Sequence, residues 1–184
     1  MGVIDDAAES ALLAVSGSDI VLIAVPVAAT EATFRAIRHL VEPGCLFMDV
    51  GSTKRDVVDA ARRVLKERVA SFVPAHPIAG KEAGGVQHAD AALYQGRQVI
   101  LTPLSSTDPA LVQKAADVWS AIGCQVLKMT PDDHDAAFAG RFLDRARQAG
   151  AVQRVDQHRR IRTADVRRGG TAGDLDALGA RRLQ

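Results

Sequence analysis

Three apolar runs punctuate the first half of the chain: Ile20-Val21-Leu22-Ile23-Ala24-Val25, Leu46-Phe47-Met48-Asp49-Val50 and Ser71-Phe72-Val73. None alternates between apolar and polar. An unbroken apolar run marks a strand covered on both faces, the kind found mostly in parallel sheets. Helical spacing fills the gaps. From about Ala28 to Val41, the residues Phe34, Ile37, Leu40 and Val41 share a side, with Arg35 and Arg38 opposite. From Asp56 to Val69, the residues Val57, Ala61, Val64 and Leu65 do the same. A shorter helix over Asp6 to Val15, with Ala8, Leu12 and Val15 on one face, precedes the first run. Pro26, Pro43-Gly44 and Gly51-Ser52-Thr53 supply the breaks. Strand, helix, strand, helix, strand with short connections calls for a parallel sheet with right-handed crossovers.

The pattern continues less regularly. Gln87 to Tyr94 reads as a short helix closed by Gly96, and Arg97 to Pro103 as a strand. Asp108-Pro109 opens a helix to Ile122, because Asp108 can cap free backbone N–H groups and proline suits the first helical position. Its apolar face is Leu111, Ala115, Val118 and Ile122, which puts Trp119 at the edge of the core. Gln125 to Met129 is a strand. Thr130 or Pro131 then opens a helix through Phe138 that Arg141 to Gln148 can extend, with acids favourably placed in its first turn.

Composition divides this picture in two. All the lysines lie at or before Lys128 and all the glutamates at or before Glu82, while residues 140–184 hold eleven arginines and the first 139 only seven. We therefore separate 1–139, whose strand–helix alternation reads as a partial nucleotide-binding fold, from 140–184, an atypical Arg-rich tail. The tail has no sustained hydrophobic period; Leu175, Leu178 and Leu183 make one weak amphipathic turn or two. Its arginines lack interleaved aromatics and are diluted by aspartates, so it reads as solvated and poorly packed, not as a nucleic-acid-binding arm. Such a change in style is what a GC-rich gene read out of frame produces, and the other two reading frames beyond codon 139 test that origin.

Of 184 residues, 47% are hydrophobic but only 4% aromatic, so the core is aliphatic. A net charge of +1 gives no whole-chain field for nucleic acid or membrane. No run approaches the ~18 apolar residues of a membrane helix, and the acidic start has no basic n-region. Cys45 and Cys124 are far apart and form no CxxC, which points away from metal and toward reduced thiols in the cytoplasm.

The candidate chemistry lies where the strands end. In open α/β sheets, ligands sit in the crevice outside the carboxyl ends of the strands. Pro26, Gly51-Ser52 and His76 should share that edge. His76, in Pro74-Ala75-His76-Pro77-Ile78-Ala79-Gly80, is delivered by a stiff loop after the third run. With an ordinary pKa of about 6.5, it can exchange a proton near neutrality. By itself it reads first as a satisfied loop histidine packed under Pro77, and only its partners can move it toward chemistry. The dinucleotide fingerprint G-x-G-x-x-G after a strand is absent: Gly80 to Gly85 has the wrong spacing, and Gly169 to Gly173 follows no strand.

Five stretches occur in order: Asp19 to Val27 around Ala24-Val25-Pro26, Asp49-Val50-Gly51-Ser52-Thr53-Lys54, His76-Pro77-Ile78-Ala79-Gly80-Lys81-Glu82, Leu93-Tyr94-Gln95-Gly96 and Val99 to Pro103. His134-Asp135 follows them. Over roughly residues 1–139 this resembles the prephenate dehydrogenase family, which includes arogenate dehydrogenases. GS-x-K followed by HPIAG-x-E at this spacing is the specific part.

The resemblance implies an incomplete Rossmann-like, doubly wound α/β fold. It implies NAD- or NADP-dependent oxidative decarboxylation of prephenate to 4-hydroxyphenylpyruvate on the tyrosine pathway. His76 would take up or hydrogen-bond the proton of the ring hydroxyl. Ser52 would orient His76 near the nicotinamide, and Glu82 would receive the substrate side chain. Ala24, Val25, Pro26 and Gly51 would lie against the cofactor. Two open alternatives remain: Ser52 as a simple helix cap and Glu82 as a solvated loop acid.

The family's glycine turn and its helical, dimerising domain are not matched. Residue by residue, Lys81 and Ala83 also depart from its pattern. The expectation is thus an impaired enzyme fragment. The competing expectations are a non-catalytic interaction module with an exposed sheet edge, and another hydroxyacid dehydrogenase sharing the strand end before Pro26.

Overall fold

A computed structural model of the chain describes residues 4–40, 44–80, 85–148 and 180–182. Glu82, the Gly80–Gly85 loop except its two ends, and most of the 140–184 tail lie outside the described residues.

The first three runs form β1 (Ile20–Ile23), β2 (Leu46–Asp49) and β3 (Phe72–Val73). They pair in parallel, Ile20 with Leu46 and Phe47 with Phe72. Helix α2 (Val27–Ile37) and helix α3 (Arg55–Leu65) cross between them. Strand β2 shows why its run carries no alternation. Phe47 belongs to the cluster with Phe34, Ile37 and Ala61 on one face, while Leu46 and Met48 pack with Val99, Leu101 and Trp119 on the other. Each such side chain, fully buried, contributes about 1.5–3 kcal/mol. Helices therefore cover both faces, as the doubly wound reading requires.

The expected single parallel sheet is divided in two. Beyond β3 lies a three-stranded sheet of β4 (Ala75–Pro77), β5 (Gln98–Leu101) and β6 (Gln125–Lys128), in that order. Here β4 runs antiparallel to β5, with His76 opposite Ile100, and β5 is parallel to β6. The expected loop around His76 is thus a short strand. The cause is local: Pro74 has no N–H for the ladder, its carbonyl accepts from Thr102 N at 2.9 Å, and the Ala75 N–H turns to the Asp49 carboxylate at 3.2 Å.

Other boundaries also move. Helix α1 is Ala11–Val15, because the Ser10 hydroxyl caps it by accepting from Leu13 N; Leu12, placed on its buried face by the spacing, is exposed. The α-helical ladder of α3 stops at Leu65, since Lys66 takes φ +51°, and a 3₁₀ turn runs on from Lys66 to Ser71. In place of a helix over Gln87 to Tyr94 there is a 3₁₀ turn, Val86–His88, and a turn in which Asp90 Oδ1 accepts from Ala92 N. Helix α4 (Pro109–Ala121) starts as expected, with Asp108 accepting from Ala110 N at 2.8 Å. Trp119 is buried, edge-on to Tyr94, whereas Ile122 at the end of its predicted apolar face is exposed.

Helix α5 (Pro131–Gln148) passes through residue 139 without a break. Strand β7 (Ala180–Arg182) pairs antiparallel with β1. The edge expected to stand open beside β1 is therefore paired, which the tail's lack of period did not indicate. Cys45 and Cys124 are both free and buried, and burial pushes the Cys45 thiol up to about 11. Among the described residues, no helix is long and apolar enough to cross a membrane.

Candidate active site

Parallel pairing of β1, β2 and β3 brings their carboxyl ends to one edge, and β4 follows β3 after a single residue. Ala24, Pro26, Gly51, Ser52 and His76 thus stand at neighbouring strand ends, as the sequence implied. Ala24 and Pro26 are exposed, and Pro26 occupies the position before the first turn of α2. Val25 instead packs against the α2–α3 side of the core. Gly51 is held tightly: its N–H donates to Asp49 Oδ2 at 2.8 Å, and an added Cβ would stand 2.9 Å from that oxygen and 3.1 Å from Val27 Cγ2. Only glycine fits there without a shift.

His76 is half-buried at this edge. Its Nδ1 lies 2.8 Å from His134 Nε2. His134, at the start of α5, is fully buried, and its Nδ1 lies 2.7 Å from Asp135 Oδ1. Asp135 reaches across to α3, accepting from Lys54 N and Arg55 N at 2.9 Å each. A carboxylate from one helix thus satisfies the first free N–H groups of another, where the helix dipole favours negative charge. Burial works to raise the Asp135 pKa, but those N–H bonds and the bond from His134 outweigh it and hold the group below the usual carboxylate range. Phe138, one turn along α5, stacks on His134 at 4.7 Å between centroids and lies 5.0 Å from the His76 ring. Burial, the neighbouring His134 and the Lys54 ammonium push His76 down to about 4, with Asp135 pulling the other way. His76 is therefore neutral, and a base, at neutral pH. Among the described residues its Nε2 has no hydrogen-bond partner.

Beneath this chain lies an ion pair. Lys54 Nζ donates to Asp49 Oδ2 at 2.6 Å and to the Ala75 carbonyl at 2.7 Å, with both side chains almost wholly out of water. Burial pushes the Asp49 carboxyl up and the Lys54 ammonium down, each opposed by the other's charge. Every oxygen of Asp49 is used, by Lys54, Gly51 N and Ala75 N.

Ser52 is exposed on the turn after β2. Among the described residues, no hydrogen bond joins it to His76, and the cap of α3 comes from Asp135, not from Ser52. In the sequence, Lys54 and the His134-Asp135 pair stand only as parts of a motif. The available signals were a lysine five positions after an acid that ends an apolar run, and a His-Asp step in the first turn of a helix.

Residues 1–128 match the family described as prephenate dehydrogenase, nucleotide-binding domain. The chain is 38% identical over 136 residues to the prephenate dehydrogenase of Bacillus subtilis, an alignment covering 73% of this chain and 36% of that protein. It is similar to the Aquifex aeolicus prephenate dehydrogenase solved with hydroxyphenyl propionate and NAD+: TM-score 0.59, 29% identity, 71% of this chain and 48% of that one. It is also similar to Synechocystis arogenate dehydrogenase: TM-score 0.62, 27% identity, 67% of this chain and 43% of that one. The chain spans less than half the length of each of these proteins.

Proposed function

The chain belongs to the prephenate dehydrogenase family, and from that premise we propose that its strand-end crevice oxidises prephenate or arogenate with NAD or NADP. The observation that carries the reading is His76, a neutral imidazole at the strand-end edge whose Nδ1 is engaged by His134 while its Nε2 has no partner among the described residues. The residues present fit the nicotinamide end of such a cofactor. Ala24 and Pro26 offer an exposed apolar rim, and Gly51 and Ser52 a close-lying turn beside it. Bound there, nicotinamide supplies the hydride acceptor.

His76 Nε2 draws off the hydroxyl proton as the carbinol carbon gives up hydride. The O–H electron pair becomes the second bond of the carbonyl, and the ring then loses CO₂ to become aromatic. Positioned base catalysis of this kind is worth about 10²–10⁴-fold. Ser52 is proposed to contact the substrate hydroxyl or the nicotinamide, and Glu82 the substrate side chain. Residues 1–139 are read as a partial dinucleotide-binding domain that carries the proposed site, and residues 140–184 as a separate, atypical Arg-rich tail. The remainder of the reading is a cytoplasmic enzyme of a homodimeric family whose dimerising domain is not matched in these residues; the near-neutral charge of +1 supports the absence of nucleic-acid or membrane partners.

The test has two arms. Nicotinamide nucleotide added to ¹⁵N-labelled protein is expected to shift Ala24, Val25, Gly51 and Ser52; no shift at millimolar nucleotide would sink the cofactor assignment. Prephenate or arogenate with NAD or NADP is expected to give reduced nicotinamide and CO₂ in equal amounts, slowly, because the chain carries no G-x-G-x-x-G cradle. Turnover as fast as that of full-length relatives would refute the impairment. Turnover untouched in His76→Asn would refute the role of the histidine.

A further inference from the structure

The hydrogen bonds under His76 have a direction. The Asp135 carboxylate only accepts, and it already takes N–H groups from Lys54 and Arg55. The nitrogen 2.7 Å from it, His134 Nδ1, must therefore carry a proton. In the neutral ring His134 Nε2 is then a bare lone pair. His76 Nδ1, 2.8 Å away, has to be the donor. This leaves the lone pair of His76 on Nε2, the nitrogen that no described residue bonds. A carboxylate two residues removed in the hydrogen-bond chain thus selects which nitrogen of His76 is the base. The same logic fixes the tautomer of a triad histidine, with the buried acid orienting the ring.

We propose that His134 and Asp135 are positioning residues for the reaction, locking His76 in its Nδ1–H form and taking over its charge during turnover. The inference rests on the reading of His76 as proton acceptor. When the substrate hydroxyl proton bonds to His76 Nε2, the proton on His76 Nδ1 passes along the existing hydrogen bond to His134 Nε2. His76 is neutral again, with its proton now on Nε2. His134 carries protons on both nitrogens and lies against the ionised Asp135. The hydride, with its electron pair, has gone to the nicotinamide nucleotide, so the balance closes. After product leaves, the proton returns from His134 Nε2 to His76 Nδ1 and the Nε2 proton passes to water. Other charged groups facing the pair are few: Lys54 lies beneath His76, and Arg55 stands at the Asp135 end. The Phe138 ring shields His134 and strengthens its pairing with the acid.

The decisive measurement needs no variant. Long-range ¹H–¹⁵N correlation of the imidazoles in the intact 184-residue chain at neutral pH is expected to show Nδ1–H and bare Nε2 for both His76 and His134. His76 found with its proton on Nε2 overturns the proposal. In Asp135→Asn, whose amide oxygen can still accept from α3, both histidines are expected to become tautomer mixtures. A merely structural Asp135 would leave the His76 tautomer unchanged. Where turnover is measurable, the same variant is expected to lower kcat with little change in KM, by less than the roughly 10²–10⁴-fold that loss of the base itself costs. Locked tautomers without any prephenate or arogenate turnover would sustain the relay and sink the functional reading. Turnover with His76 protonated on Nε2 would do the reverse.

Discussion

One residue separates two buried polar assemblies of opposite design. Lys54 binds the Ala75 carbonyl and Asp49 the Ala75 N–H, and every oxygen of that pair is spent inside the protein. His76, next along β4, begins a chain through His134 and Asp135 that ends inward on the first turn of α3 and outward on a nitrogen that, among the described residues, has no hydrogen-bond partner. The closed assembly has no chemistry left to offer and serves as scaffold. The open one is held just as firmly but keeps one lone pair in hand. Burial alone therefore does not distinguish the two assemblies; a nitrogen left unbonded by the described residues does.

The sharpest way to break the comparison is to unpair the scaffold. Lys54→Met leaves Asp49 as an uncompensated buried acid and is expected to cost about 3–5 kcal/mol in urea unfolding. Adding Asp49→Asn to it should recover part of that loss. If the single variant unfolds like the native protein, the pair is not the scaffold described.

His76→Asn is expected to do the opposite, removing turnover while shifting the unfolding midpoint far less than Lys54→Met. The same variant tests pH dependence. The folded His76 titrates near 4 and the unfolded one near its ordinary 6.5, so between those values the unfolded chain binds more protons. Stability therefore rises with pH through that window, is complete above it, and falls on acidification toward 4. The contribution of this residue to the slope should vanish in His76→Asn.

Gly51→Ala, forcing a Cβ against Asp49 and Val27, should cost about 1–3 kcal/mol as an overpacked site does. Arg55→Ala, which removes an exposed ion pair with Asp132, should leave the midpoint unchanged.

The parts of this molecule legible in the sequence are those set by short-range pattern. The runs at Ile20 and Leu46 announced strands covered on both faces, and Asp108-Pro109 announced a helix start. Strand β4 was not legible, because three residues between Pro74 and Ile78 carry no period and their pairing with β5 depends on residues more than twenty positions away. For the site, the strand-end edge and His76 could be read. The His134 contact could not, since it spans 58 positions and depends on how α5 docks against α3. Lys54 was hidden for a plainer reason: a lysine is ordinarily a surface residue, and only the partner seen in three dimensions explains one wholly out of water.

Asp135 holds two posts at once, closing the start of α3 and anchoring His134 on its own helix, through which it reaches His76 on β4. That limits how the centre could be transplanted. A protein engineer grafting this base onto a new scaffold could not carry the two imidazoles alone. The smallest portable unit joins the turn from Asp49 to Arg55, the strand from Ala75 to Pro77 and the helical turn from Pro131 to Phe138. Any host would have to present two helix starts in direct contact, with a strand beside them to carry the first imidazole.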